Sequence, residues 1–374
     1  MRFTTLIAKN VLHRPVRTIL TAVGLAIAIS AVVVLVGISW NFERGSMKIY
    51  RSKGIDLVLV RAGSSNQLSS SLDIKLEERL RTIEGVADLA PTLVDTVAFE
   101  DKNLAAVLVD GWPGGSLLFR GMRMLEGRTL TPEDRSAILL GRILALNLGV
   151  KAGARLDVAG QPFDVVGVFE SDSLFENGAL VMPIETLQKM MGREGQATGF
   201  LIQSRATDPA SIDALRKRIE QAFPGTAASP ARDYVAGDIQ IRLSRAMAGT
   251  TAIVAFFLGA VGMLNTMLMA IFERTRELGL LRAVGWKRGR VLALVLGESL
   301  LLALAGSILG CVFAVVSMRI LTMFPTARGF IDPNLPPEVM PLALVMGIVL
   351  SLIGGLYPAL RAAALDPIEA LRHE

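Results

Sequence analysis

The sequence predicts an α+β membrane protein, with four transmembrane helices and a large α/β exported domain between the first and second helices. Hydrophobic residues make up 52% of the 374 residues and charged residues only 20%, a balance shifted from that of soluble domains towards membrane proteins. The apolar residues are concentrated in four runs, at 18–39, 247–272, 291–318 and 340–360. Between the first two runs, residues 40–246 alternate strand-like and helix-like patterns.

Each of the four apolar runs predicts a transmembrane helix. A helix needs about 20 apolar residues to cross a bilayer core of roughly 30 Å, and every run is long enough. Three runs have no charged residue, and the third contains only Glu298. Uncharged runs of this length favour membrane spans over buried helices of a soluble protein. The first run exceeds the h-region of a cleavable signal peptide and is therefore predicted to be a retained signal anchor.

The distribution of basic residues predicts the topology. Four Lys or Arg residues and no acid precede the first run, and six basic against two acidic residues lie between the second and third. The positive-inside rule then places three segments in the cytoplasm: an N-terminal amphipathic segment at 1–17, a loop at 273–290 and a tail at 361–374. Residues 40–246 and a short loop at 319–339 are predicted to be exported.

The net charge of +5 indicates orientation rather than a nucleic-acid partner. The three cytoplasmic segments carry 12 basic and five acidic residues, whereas residues 40–246 carry 25 and 26. The surplus therefore lies on one side of the bilayer, and no RNA- or DNA-binding motif accompanies it. The expected partner of the basic residues is the lipid bilayer, not nucleic acid.

The outer parts of the exported segment predict two strand–helix–strand halves, at about 50–105 and 184–230. Such halves build a split βαβ sandwich. Strand patterns occupy Ile55–Arg61, Ala87–Phe99, Ala105–Val109 and Gly199–Ser204, and helical patterns occupy Leu72–Ile83 and Pro209–Phe223, the second capped by Asp208. Residues at about 106–183 are predicted to form an inserted subdomain, with a hairpin over 155–169 that turns at Ala159-Gly160-Gln161.

The sequence offers no catalytic or metal-binding constellation. The single cysteine and the two terminal histidines, His13 and His373, exclude a Cys-rich or His-based metal cluster. Carboxylate pairs such as Glu77-Glu78 are typical of a solvated surface, and a Ser/Lys dyad stays open without a motif that singles one out. No G-x-x-x-x-G-K-[ST] occurs, so these residues cannot hydrolyse ATP by a P-loop. We expect no enzyme activity, no metal and no cofactor of the chain's own.

The segment 273–290 and the C-terminal tail carry the most informative patterns. The second helix is predicted to continue to Leu278, with turns at Gly279 and Gly285 around a short amphipathic piece, Leu280–Val284. This loop suits docking into a groove of a partner, although a merely solvated loop is equally compatible with its residues. In the tail, Asp366 and Pro367 predict the start of a second short helix.

These two segments resemble the signature of FtsX/MacB/LolC-type ABC transporter permeases. The resemblance rests on E-R-T-R-E-L-G-L-L-R-A-V-G after the second span and Y-P-A-L-R-A-A-A-L-D-P-I-E-A-L-R after the fourth, and the four-span layout extends it over the whole chain. It implies that the loop couples to an ATPase through Glu273, Arg274, Arg276, Glu277, Leu278, Gly279, Arg282 and Gly285. The corresponding tail motif consists of Tyr357, Pro358, Arg361, Asp366, Pro367, Glu369 and Leu371. The exported segment resembles a MacB-type periplasmic core, with porter-like halves and a sabre-like insert.

The resemblance implies a permease subunit in the inner (cytoplasmic) membrane, with both termini in the cytoplasm. Such a subunit works by mechanotransmission with a separate cytoplasmic ATPase, which binds the ATP, and with a second permease copy or paralogue. It extrudes or releases a lipoprotein, amphiphile, peptide or drug, together with a periplasmic adaptor or substrate protein. The alternative is a non-transporting FtsX-like scaffold that regulates a cell-wall hydrolase. A membrane-anchored enzyme is disfavoured because no catalytic constellation is present.

Two features inside the predicted spans stand apart. Glu298 is the single intramembrane carboxylate, and it either anchors a contact near the inner face or reaches out to the headgroups. The spacing Gly306-x-x-x-Gly310 predicts a face for close helix packing.

Overall fold

The computed structural model describes residues 3–13, 15–64, 67–171, 173–324 and 331–365. The chain divides into two compact units. The membrane unit comprises the residues up to Trp40, Arg245–Leu321 and the residues from Pro333 onwards. The second unit comprises Asn41–Ser244 and Thr322–Asp332, and we call it the exported unit after its predicted location.

The elements of the described residues alternate along the chain. The helices are α1 (Phe3–Leu12), α2 (Pro15–Lys53), α3 (Leu76–Arg81), α4 (Arg142–Leu148), α5 (Leu174–Asn177), α6 (Ile184–Met190), α7 (Pro209–Ala222), α8 (Ala231–Gly237), α9 (Ile239–Glu273), α10 (Thr275–Ala283), α11 (Arg288–Leu321) and α12 (Val339–Ala364). The strands are β1 (Leu57–Arg61), β2 (Leu72–Asp73), β3 (Val86–Phe99), β4 (Leu104–Trp112), β5 (Arg123–Gly127), β6 (Ala137–Gly141), β7 (Arg155–Val158), β8 (Gln161–Glu170), β9 (Leu180–Pro183), β10 (Gln196–Ala197), β11 (Gly199–Ser204) and β12 (Thr226–Pro230).

Four helices of the described residues, α2, α9, α11 and α12, are long and apolar enough to cross a membrane. They contain the four apolar runs, so the four-span prediction is confirmed. Many of their apolar side chains point outwards, such as Phe257 and Ile308. Such an apolar surface is stable only in lipid or against another protein, because its exposure to water costs free energy.

The membrane unit is packed through small residues. A Cβ added at Gly306 would lie 2.8 Å from the Cβ of Leu25, and one at Gly310 would lie 3.0 Å from the carbonyl oxygen of Ala26. Both glycines of α11 therefore bring its backbone against α2, because no larger side chain fits there. The predicted close-packing face at Gly306-x-x-x-Gly310 is confirmed.

Gly306→Leu is expected to destabilise the membrane unit by about 1–3 kcal/mol or more, the usual cost of overpacking. The matched control is Gly289→Leu in the same helix, because a Cβ at Gly289 meets no heavy atom within 4 Å. Thermal unfolding of the full chain in detergent measures both variants. Equal melting temperatures would contradict the assigned contact between α11 and α2.

The exported unit begins with the predicted split βαβ arrangement. Its strands follow the order β12-β1-β11-β3, and neighbouring strands are antiparallel. Helix α3 connects β1 to β3 by way of the short β2, and α7 connects β11 to β12. Leu80 of α3 and Ile219 of α7 are fully buried in one core with Leu57 and Phe200 of the sheet. Asp208 accepts the backbone N–H of Ser211 and caps α7, as predicted.

Strand β3 joins this arrangement to the rest of the sheet. Its first half pairs with β11 and its second half with β4, after which the order continues β9-β6-β8-β5. Residues 106–183 thus extend the same sheet. The predicted hairpin is formed by β7 and β8 and turns at Ala159 and Gly160, both with positive φ. Gln161, predicted as part of the turn, is already in β8 and pairs with Val158.

One predicted helix of the exported segment is shorter than its pattern. The helical spacing over Leu72–Ile83 is wrong at its start, because Leu72 and Asp73 form β2 and pair with Gln196–Ala197. The carboxylate of Asp73 accepts the backbone N–H of Lys75 at 2.9 Å. This local bond turns the chain, so the helix begins only at Leu76.

Candidate coupling site

The loop between the second and third spans contains a separate short helix. Helix α9 ends at Glu273, Arg274 has φ −117° and ψ 15°, and α10 begins at Thr275. The prediction of one helix continuing to Leu278 is therefore wrong. The turn predicted at Gly279 is also wrong, because Gly279 is buried inside α10. The turn at Gly285 is confirmed, with φ +99°, a conformation that glycine adopts without strain.

The inward face of α10 is anchored on the membrane unit. Leu278 is 2% exposed, and Leu281 and Trp286 pack partly buried against the same core. The Trp286 ring lies 6.4 Å from the ring of Phe3 in α1 and 4.5 Å from the Arg290 guanidinium. Trp286 therefore connects the end of this loop to α1. The Arg282 guanidinium donates a hydrogen bond to the backbone carbonyl of Trp286 at 3.1 Å and so holds the backbone of Trp286 in place.

The outward face of α10 carries an exposed apolar pair. Leu280 is 50% exposed and Val284 is 77% exposed, and residues four apart lie on the same side of a helix. Arg276 and Glu277, one turn earlier, are also exposed. We call Arg276, Glu277, Leu280 and Val284 the coupling face. An apolar pair with charges at its edge is suited to a groove in another protein.

Glu298 ties α10 to the rest of the membrane unit. Its side chain is 9% exposed, and its carboxylate accepts from the Arg274 guanidinium at 3.1 and 3.2 Å and from the Asn10 amide at 2.6 Å. Arg274 also donates to Glu277 at 2.9 Å. The carboxylate therefore joins α1, α11 and the start of α10, and it does not reach outwards. The sequence did not indicate Arg274 and Asn10 as its partners, because they lie 24 and 288 residues away.

The remaining predicted residues lie around the ends of α9 and α12. Glu273 forms an ion pair with Arg17 of α2 at 2.8 Å. The Arg361 guanidinium lies 4.8 Å from the centre of the Phe272 ring, which links α12 to the end of α9. Tyr357 is exposed and Pro358 is buried in α12. The other tail residues, together with the predicted second short helix, lie outside the described residues: Asp366, Pro367, Glu369 and Leu371.

The exported unit contains a buried ion pair that sequence reasoning missed. Lys53 is 1% exposed and its ammonium lies 2.9 Å from the Glu176 carboxylate. Lys53 also donates to the Leu118 carbonyl and lies 4.6 Å from the centre of the Trp112 ring. No sequence motif marks these residues. Across the described ranges, no cluster of three His, Cys, Asp or Glu side chains is arranged to hold a metal ion.

Four apolar helices with an α/β sheet unit between the first and second define a multi-pass membrane protein. Residues 18–222 match the family described as MacB-like periplasmic core domain, and residues 249–367 match the family described as FtsX-like permease C-terminal. The chain belongs to the FtsX/MacB-type ABC transporter permeases.

Individual relatives cover nearly the whole chain. The uncharacterized ABC transporter permease YknZ of Bacillus subtilis is 24% identical over 390 residues, with 98% of this chain and 97% of YknZ covered. The macrolide export ATP-binding/permease protein MacB of Nitrobacter winogradskyi is 27% identical, and 96% of this chain spans 58% of that protein. Among solved structures, the chain is similar to the crystal structure of the periplasmic region of MacB from Actinobacillus actinomycetemcomitans. The match covers 50% of this chain and 94% of that one, at 14% identity and a TM-score of 0.40.

Proposed function

We propose that this chain is a permease subunit that couples ATP hydrolysis by a separate cytoplasmic ATPase to movement of its exported domain. The observation that carries the proposal is the coupling face of α10, where Leu280 and Val284 are exposed while Leu278 anchors the helix from the opposite side. An apolar outer face can bind a groove of a partner protein. Because α10 is anchored on the membrane unit, movement of the bound partner would move the anchored helices with it.

The sequence and its relatives support the proposal of an ATPase partner. The chain contains no P-loop motif, and it spans 58% of a MacB protein whose name combines ATP-binding and permease functions. We propose that ATP is bound by the partner, that the α10 loop and both termini are cytoplasmic, and that the membrane is the inner (cytoplasmic) membrane. A second permease copy or paralogue completes the complex.

The proposed mechanism is mechanotransmission. Movement of the ATPase displaces α10, and the Arg274–Glu298 pair passes the displacement to α11 and α1. The long helices α2 and α9, of 39 and 35 residues, are uninterrupted and relay the movement to the exported domain. The cargo is extruded or released outside the membrane and belongs to the lipoproteins, amphiphiles, peptides or drugs. The relatives named for macrolide export support an amphiphilic cargo.

The double substitution Leu280→Asp/Val284→Asp is expected to weaken ATPase binding by about 2 kcal/mol or roughly thirtyfold, the size of an interface hot spot. The tagged full chain is purified in mild detergent from the membranes of its own host, and the associated P-loop protein is identified and quantified by mass spectrometry. ATP hydrolysis in the same preparation is the second readout.

The matched control for this experiment is the double substitution Leu125→Asp/Leu146→Asp, at two apolar residues of the exported unit that are 41% and 65% exposed. It introduces the same charge on a surface without a proposed role, so it should leave ATPase recovery unchanged. Equal recovery of a P-loop ATPase with the wild type and the double variant would overturn the coupling assignment. Recovery of a cell-wall hydrolase without any ATPase would favour the scaffold function.

A further inference from the structure

The exported unit contains a cavity of about 370 Å³ on one face of its sheet. Val94 of β3 and Asp110 of β4 are direct cross-strand partners and both line it, with Leu108 two residues along the strand. Side chains alternate across a strand, so these three share one face. Val107 and Val109 point to the other face and are buried in the core. The cavity therefore lies on the opposite face of β4, beside the buried core residues Trp112 and Leu201 that also line it, and its volume is within the range of small-molecule sites.

The charged groups around this cavity favour a cation. Among the described residues that line it, three are acidic and one is basic: Asp110, Glu176, Asp238 and Lys53. Lys53 and Glu176 neutralise each other at 2.9 Å, and the Asp238 carboxylate accepts the backbone N–H of Gln240 at 2.8 Å. Within the described part of the chain, the half-buried Asp110 carboxylate makes no hydrogen bond or ion pair. A positively charged group is its natural complement.

Aromatic rings supply the rest of the lining. Tyr50 and Tyr234 meet edge to face at 6.2 Å, and Phe42 and Phe175 do so at 4.6 Å. Both pairs line the cavity together with Leu108. The faces of aromatic rings attract organic cations, and their area also buries an apolar ligand body. The cavity thus combines one carboxylate without a partner with a largely apolar wall.

We propose that this cavity binds a small amphiphilic amine, with its ammonium paired to Asp110 and its apolar body against Leu108, Phe42 and Phe175. A metal ion is not the proposed ligand, because among the described residues no three His, Cys, Asp or Glu side chains are grouped so as to hold one. The site goes beyond the coupling function, because it requires neither an ATPase nor ATP. Its failure is therefore separable from failure of the coupling assignment.

Binding to this site should depend on pH. Burial and the nearby Glu176 carboxylate raise the pKa of Asp110 to about 7, and Lys53 opposes the shift. An ammonium pairs with the ionised carboxylate, so apparent affinity rises with pH until Asp110 is ionised. The other titratable groups that face the cavity are Tyr50 and Lys53 of α2, Glu176 of α5, Tyr234 of α8 and Asp238 before α9. Between pH 6 and pH 8 the affinity is expected to increase about tenfold.

The test uses the full chain in phosphatidylcholine nanodiscs, without ATP, with 4-phenylbutylamine as the probe. Calorimetry, with empty nanodiscs subtracted, measures its dissociation constant for the wild type, Asp110→Asn and the control Asp101→Asn, an exposed residue of the same unit. The neutral 4-phenylbutanol and the anionic 5-phenylpentanoate are the comparison ligands. Near-UV circular dichroism shows that each variant is folded.

The expected result is at least tenfold weaker amine binding by Asp110→Asn, no change with Asp101→Asn, and at least tenfold weaker binding of the alcohol by the wild type. Equal binding of amine and alcohol would overturn the proposal, as would amine binding that Asp110→Asn does not change. Strongest binding by the carboxylate would also overturn it, because Lys53 and not Asp110 would then be the recognition group.

Discussion

Lys53→Met is expected to lower the free energy of unfolding by about 3–5 kcal/mol, the usual cost of leaving one member of a buried ion pair without its partner. The Lys53 ammonium is fully buried, pairs with Glu176 and donates to the Leu118 carbonyl. Methionine has a similar length and stays apolar, so the substitution removes the charge and the donors while largely keeping the packing against Trp112.

The loss from Lys53→Met should grow with pH. In the wild type, burial and Glu176 already raise the pKa of Asp110 to about 7 against the opposing charge of Lys53. Without Lys53, the carboxylates of Asp110 and Glu176 face each other with no compensating cation. An acid whose pKa is raised by folding binds more protons in the folded than in the unfolded state, so stability falls as pH rises from its unfolded to its folded pKa. The variant should therefore be closest to the wild type near pH 4 and furthest from it at pH 8.

Two further variants separate charge from packing at this position. Lys48→Met changes an exposed lysine of the same helix and should alter stability by no more than about 0.5 kcal/mol. The double variant Lys53→Met/Glu176→Gln removes both charges and should recover most of the loss, because a neutral pair leaves no buried ion. The measurement is urea unfolding of the full chain in detergent, monitored by tryptophan fluorescence. Trp112 reports on this site because the Lys53 ammonium lies over its ring. A Lys53→Met variant as stable as Lys48→Met would contradict the account.

The features predicted correctly from the sequence are those decided by neighbouring residues. Each span is a run of about 20 or more apolar residues, a property of one segment that the bilayer thickness makes decisive. The cap of α7 at Asp208 followed by Pro209, and the hairpin turn at Ala159-Gly160, are equally local. The two strand–helix–strand halves followed from the local patterns of their strands and helices, whereas the order of the strands in the sheet was not predicted.

The errors and omissions share a long-range cause. Glycine is tolerated within a helix when packing favours it, and Gly279 lies at a buried position of α10, so its turn was wrongly predicted. The break at Arg274 accompanies a guanidinium paired with Glu298, a residue of a different helix. Lys53 and Glu176 are likewise paired across more than a hundred residues. Pattern and spacing carry no information about such contacts.

Arg274→Met is expected to cost roughly 3 kcal/mol, near the lower end of the 3–5 kcal/mol range for a broken buried ion pair. Of the Asn10 and Arg274 side chains, the Glu298 carboxylate would keep only the Asn10 amide, and Glu277 would lose the guanidinium of Arg274. The control is Arg276→Met, which removes an equal charge from the exposed coupling face. Thermal unfolding of the full chain in nanodiscs measures both, and equal melting temperatures would show that the pair is not structural.

The same substitution distinguishes docking from transmission. Arg274→Met leaves Leu280 and Val284 exposed on α10, so the variant should still recover the ATPase, whereas α10 loses its polar tie to α11 and α1. The expected result is normal ATPase association with a loss of dependence of ATP hydrolysis on the permease. The exchanged pair Arg274→Glu/Glu298→Arg restores opposite charges at the same two positions, and a double-mutant cycle gives their coupling energy. If the exchanged pair recovers both stability and coupling, the ion pair itself is responsible for them, because each position then carries the charge opposite to its original one.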